Sequence, residues 1–123
     1  MASTEVDFGI LAGAGAPVRA FRQGEIIFRE GDPASELYVI KSGRVDVTSG
    51  NRLLATFGEH DIFGEMALID NSPRSATVTA VTDVELVPVD EKQFLFLVSH
   101  TPFFALRVMR VLANRLRVTT KAM

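Results

Sequence analysis

Short runs in which every second residue is apolar recur along the chain: Ile26 and Phe28, Leu37 and Val39, Val45 and Val47, Leu53, Ala55 and Phe57, Ala76, Val78 and Ala80, then Val84 and Leu86. Period-two placement turns one face of each run to a core and the other to solvent, so the runs predict strands. Turn formers separate them, at Gln23-Gly24, Gly31-Asp32-Pro33, Ser42-Gly43, Ser49-Gly50-Asn51 and Phe57-Gly58. Glycine there accepts positive φ, and Asp, Asn and Ser side chains bond the local backbone. Antiparallel hairpins at this spacing form a small sandwich or barrel. After Val89 the pattern changes. Asp90 is an N-cap for a helix from Glu91 to Ser99, and Thr101 with Pro102 has the N-cap and N1 form that opens a second helix. In that helix Ala105, Val108, Met109, Leu112 and Leu116 recur at spacings of three and four, a core-facing stripe with arginines on the polar side. Residues 3–12 predict a short helix ended by Gly13, Gly15 and Pro17.

The fold expected is therefore mainly β with flanking helices: an antiparallel, jelly-roll-like β-roll carrying an N-terminal helix and two C-terminal helices. Residues 1–17 are read as the N-terminal helix and linker, and residues 18–123 as the domain. The chain's 123 residues, 47% apolar and 23% charged, suit one globular core. With no Cys, a disulfide scaffold, a thiolate metal site and a cysteine nucleophile are excluded. No apolar run reaches bilayer-spanning length and the start lacks signal-peptide character, so a soluble, cytoplasmic protein without a membrane span is expected.

Charge is uneven: residues 1–100 carry a balance of −7, and residues 101–123 one of +5 from Arg107, Arg110, Arg115, Arg117 and Lys121. A basic helix can bind nucleic acid, but no second helix-turn-helix unit follows, and cations at a helix C-terminus also complement its dipole. No nucleic-acid partner is expected. His60 and His100 lack a ligand pattern and read as surface residues. Gly13-Ala14-Gly15 lacks a preceding strand and a third glycine, so it reads as a linker rather than a dinucleotide fingerprint. Phe94 and Leu95 read as a helix packed on the roll, and Phe103 and Phe104 as core or lid contacts.

The chemistry lies between Phe63 and Val78. Phe63-Gly64-Glu65-Met66-Ala67-Leu68-Ile69 interrupts the strand pattern with helix formers after a glycine, which predicts one helical turn. The first amides of such a turn are unpaired and favour an anion. After a turn at Asp70-Asn71-Ser72-Pro73, Arg74 opens a strand from Ser75 to Val81, from which its guanidinium can reach the same anion. Arginine's planar fork suits a phosphate, since it gives two parallel hydrogen bonds and stays charged. Glu65 fits beside a phosphate only if it accepts from a hydroxyl of the same ligand, such as a ribose offers.

Phe-Gly-Glu-Met-Ala-Leu followed by Pro-Arg-Ser-Ala-Thr-Val resembles the phosphate-binding cassette of the cyclic nucleotide-binding domain family. Phe21 to Phe28, Glu30-Gly31-Asp32, Leu37-Tyr38-Val39-Ile40, Ser42-Gly43 and the two C-terminal helices fall in that family's order, so the likeness covers about residues 18–118. The resemblance implies that Glu65 accepts from the ribose 2′-hydroxyl, that Arg74 holds the cyclic phosphate and that Ser75 adds a hydroxyl. It also implies that the amides of Gly64, Met66, Ala67 and Ala76 line the anion site, and that Arg115 on a closing last helix stacks on the base. The expected ligand is cyclic AMP or cyclic GMP, cyclic AMP favoured, with no metal or other cofactor. The expected role is a non-catalytic sensor that relays binding through its C-terminal helix to an unidentified effector protein or linked domain. Two rivals stand beside it. A metal-assisted enzyme on a similar roll would need more His and carboxylate ligands than two histidines suggest, and no Gly-x-Ser-x-Gly setting exists. A ligand-free interaction module on the same fold would leave Glu65 and Arg74 as a structural ion pair.

Overall fold

The computed structural model describes residues 17–100 and 102–122, with side chains up to Arg115. The predicted helix over residues 3–12 and the Thr101 cap lie outside the described residues. The chain divides into two compact units, one ending at Glu91 and the other starting at Lys92.

The first unit is a roll of two four-stranded antiparallel sheets. One has the order β1 (Arg19–Phe21), β8 (Val84–Asp90), β3 (Glu36–Ser42), β6 (Ile62–Phe63). The other runs β2 (Ile26–Phe28), β7 (Thr77–Ala80), β4 (Val45–Ser49), β5 (Arg52–Phe57). Their facing side chains form a core of Tyr38, Ile40, Val45, Phe63, Val78, Ala80, Val84 and Leu86. Each fully buried aliphatic or aromatic side chain of this kind contributes about 1.5–3 kcal/mol relative to exposure.

Two strands depart from the simple alternation. In β3 all of Leu37, Tyr38, Val39 and Ile40 are buried, because this strand lies between β8 and β6 and helix α1 (Met66–Ile69) packs against it. In β5, Leu53 was expected to face inward but is exposed together with Leu54. The ladder passes from Val47–Ala55 to Thr48–Leu53, leaving Leu54 as an extra residue on an edge strand, so Leu53 beyond this bulge turns outward while Ala55 and Phe57 stay half-buried. Strands β1 and β6, of three and two residues, are too short to show a period.

The second unit holds α2 (Glu91–His100) from its second residue onward and α3 (Pro102–Ala122). On α3 the predicted stripe holds at Val108, which is buried, and at Ala105 and Leu112, which are half-buried, whereas Met109 is exposed; Phe104 is buried beside it and Phe103 is exposed. The Phe104 ring meets Phe94 of α2 edge-on at 5.4 Å. Phe94 is half-buried, while Leu95, expected to be packed, is exposed. His100 is exposed as expected and stacks on Phe96 at 4.0 Å. Among the described residues no single helix is long and apolar enough to cross a membrane.

Candidate ligand-binding site

The segment linking β6 to β7 builds the site. Gly64 follows β6 at φ +75°, a left-handed conformation suited to glycine, and Glu65 then starts the single turn of α1 in right-handed helical geometry. The return turn is local chemistry. Asn71 takes φ +56°, and the Asp70 carboxylate accepts from the Ser72 amide at 3.0 Å, which holds the Asp70 carboxyl below its ordinary pKa. Arg74 is then stitched to the turn between β2 and β3: its amide donates to the Asp32 carbonyl at 2.9 Å, and its carbonyl accepts from the Gly31 amide at 2.7 Å. Ser75 and Ala76 form a bend, so β7 begins at Thr77 rather than at Ser75 as the apolar alternation predicts.

These restraints place a guanidinium inside the roll. Arg74 is only 7% exposed. Its Nη1 donates to the Gly64 carbonyl at 3.2 Å and its Nη2 to the Glu36 carbonyl at 2.9 Å. The Phe28 ring lies 4.0 Å from its central carbon and the Tyr38 ring 5.6 Å away, both within cation–π range. Nε is buried with no hydrogen-bond partner among the described residues. Burial holds the Arg74 pKa below its ordinary value, opposed by the nearby Tyr38 and Glu36, and a guanidinium still stays protonated at neutral pH. Both terminal nitrogens thus spend bonds on neutral carbonyls while the third nitrogen, Nε, has its N–H unspent, an unmade bond of about 1–3 kcal/mol. An anion with more than one oxygen is the chemical complement of such a group.

Gly64 fits this arrangement for a second reason. A Cβ there would lie 2.6 Å from Arg74 Nη1, so only glycine lets the backbone come this close to the guanidinium. Glu65, the next residue, is equally buried, at 7% exposure. Met66 is exposed and Ala67 buried, and the Ala67 amide donates at 3.3 Å to the Gly64 carbonyl, within the turn itself. With four residues, α1 has little dipole, so the case for an anion rests on Arg74 more than on the helix. Ser75 is exposed and Ala76 buried, both in the bend directly after Arg74. Arg115 belongs to the second unit, where it is half-buried on α3, whereas Arg107 and Arg110 are exposed. The structure thus brings Gly64 and Arg74 together, with Glu65 next in the chain and buried.

Sequence reading missed Phe28, Tyr38 and the Glu36 carbonyl as partners of Arg74. Tyr38 left a trace, being the sole tyrosine and set in an apolar strand. A backbone carbonyl leaves none. Among the described residues no group of three or more His, Cys, Asp or Glu could hold a metal. A separate open cleft of about 420 Å³ is lined by Phe21, Arg22, Glu25, Ser42, Asp83 and Glu85. Its three acids already accept bonds from the Arg22 amide, the Gln23 amide and the Ser42 hydroxyl.

Residues 18–101 match the family model of the cyclic nucleotide-binding domain. The chain is 35% identical over 104 residues to the CRP-like cAMP-activated global transcriptional regulator of Mycobacterium tuberculosis, covering 80% of this chain and 46% of that protein. The crystal structure of the Thermus thermophilus catabolite activator protein superposes with a TM-score of 0.80 at 35% identity, covering 87% of this chain and 53% of that one. The EAL enzyme Bd1971 is similar in its cAMP-bound form (TM-score 0.64, 40% identity, 85% of this chain and 30% of that one) and in its cGMP-bound form (0.65, 41%, 86% and 30%). The chain spans about half the length of the curated regulators it matches.

Proposed function

Because the chain belongs to the cyclic nucleotide-binding domain family, we propose that it is a non-catalytic sensor of a cyclic purine nucleotide, cyclic AMP in preference to cyclic GMP. One observation carries the reading: a buried Arg74 whose Nε has no partner among the described residues. The phosphodiester of a 3′,5′-cyclic nucleotide offers one negative charge on two oxygens, and a guanidinium edge can bond both. Glu65 accepts from the ribose 2′-hydroxyl, Ser75 adds a hydroxyl to the phosphate, and the backbone of Gly64, Met66, Ala67 and Ala76 closes around it. Arg115 is assigned to the base. Binding is relayed through α3 to an effector protein or a linked effector domain, since the regulators it resembles are about twice its length.

Calorimetric titration of the chain with each nucleotide tests this. Saturable heat at one equivalent is expected, tighter for cyclic AMP, with nucleotide recovered unchanged. Folded protein giving no heat at submillimolar nucleotide would leave a ligand-free interaction module as the better account. The relay has its own readout: amide exchange in α3 should slow on binding, and exchange that does not change would remove that helix from the pathway.

A further inference from the structure

We propose that Glu36 is a positioning residue for the Arg74 guanidinium, locked for that task by Arg19 and Tyr38; the inference rests on the ligand role given to Arg74 above. Glu36 opens β3, and its two polar ends do different work. Its main-chain carbonyl accepts from Arg74 Nη2 at 2.9 Å. Its carboxylate pairs with Arg19 of β1 and accepts from the Tyr38 hydroxyl at 2.9 Å, while Arg19 Nη1 also donates to that hydroxyl at 3.1 Å. Arg19 is itself held by the pairing of β1 with β8, the strand that also flanks β3.

The end of a strand is where a ladder opens first, so a carbonyl there is a poor tether unless its residue is anchored otherwise. The Arg19–Glu36–Tyr38 triangle supplies the anchor. Tyr38 continues it to the ligand side, for its ring packs on Phe63 at 5.4 Å and Phe28 at 6.2 Å and has Arg74 at 5.6 Å and Arg19 at 5.8 Å from its centroid. With Nη2 tied to β3 and Nη1 tied to Gly64, the guanidinium plane is set and the direction of the Nε edge follows from it. Releasing Glu36 frees that plane to turn. Arg19 is half-exposed, so its ion pair is screened and adds little to global stability. Orientation and stability should therefore separate.

The test uses the full, ligand-free chain with ¹⁵N-labelled arginine, reading the Arg74 Nε–H signal and its exchange with solvent in Glu36→Gln, Arg19→Met and Tyr38→Phe. The expected result is exchange at least about fivefold faster in each variant, with melting temperatures near the parent's and cyclic AMP affinity about threefold to tenfold weaker. In an Arg74→Lys background, Glu36→Gln should weaken binding no further, because the two act through one group. Arg74 exchange at the parental rate in all three variants, or losses that simply add in the double variant, would overturn the proposal. The exchange readout needs no nucleotide, so a parent chain that binds neither nucleotide counts against the proposed function, and the network is still decided by the Arg74 signal.

Discussion

Replacing Arg74 with Ala should separate binding from folding. If Arg74 holds the phosphate as proposed, two charge-assisted hydrogen bonds are lost, on the order of 3 kcal/mol or roughly a hundredfold in affinity. The ligand-free fold loses less, because an unmade Nε bond already offsets part of what the two carbonyl bonds contribute. Calorimetry and thermal unfolding of the same variant read the two quantities, and parental affinity would place Arg74 away from the phosphate. Glu65→Gln should weaken binding less, since an amide oxygen still accepts from a hydroxyl. Gly64→Ala should lower both affinity and melting temperature, because φ +75° strains an L-residue by about 1–2 kcal/mol and the new methyl displaces Nη1. Tyr38 makes a pH prediction. Burial first, then its bond to Glu36, raise its phenol above the ordinary value of about 10. The folded protein therefore keeps a proton that the unfolded chain releases, so this contribution to stability is whole below about pH 10 and is lost as pH rises further. Tyr38→Phe should flatten that alkaline limb in thermal unfolding, and an unchanged limb would assign it to another group.

Elements carry these side chains to their places. The roll was legible in the sequence wherever strands are long enough to show a period and turns carry glycine or Asn. The β3–β4 turn is the sharpest case: a Cβ on Gly43 would meet the Asp83 carbonyl at 2.4 Å and Val84 Cγ1 at 2.6 Å, so this turn is pressed on the β7–β8 turn. Gly43→Ala should thus destabilise by more than about 2 kcal/mol, seen as a lower denaturation midpoint with an unchanged slope. A neutral result would mean that the two turns are not in contact. What the pattern did not reveal has physical causes. A bulge at Leu54 turns Leu53 outward without changing the strand's composition. On α3, Phe104 rather than Met109 is buried, and its ring meets Phe94. In the site, Gly64, Glu65 and Arg74 were readable as a motif, whereas the partners that orient Arg74 come from β2 and β3, distant in sequence.

For the molecule as a whole, ligand binding and stability are one equilibrium. At a hundred times its dissociation constant a nucleotide that binds only the folded roll stabilises it by about 2.7 kcal/mol, a shift of about 10 °C in melting temperature. Arg74→Ala should lose that shift at the same nucleotide concentration, and a shift retained in full would mean binding elsewhere. The central claim is narrower still: the Nε of Arg74, without a hydrogen-bond partner among the described residues, is where the phosphate lands. Titrating cyclic AMP into the ¹⁵N-arginine-labelled chain measures it directly. The Arg74 Nε–H signal should move downfield, saturate at one equivalent and exchange more slowly with solvent. Binding heat with an Arg74 signal that does not move would contradict the account.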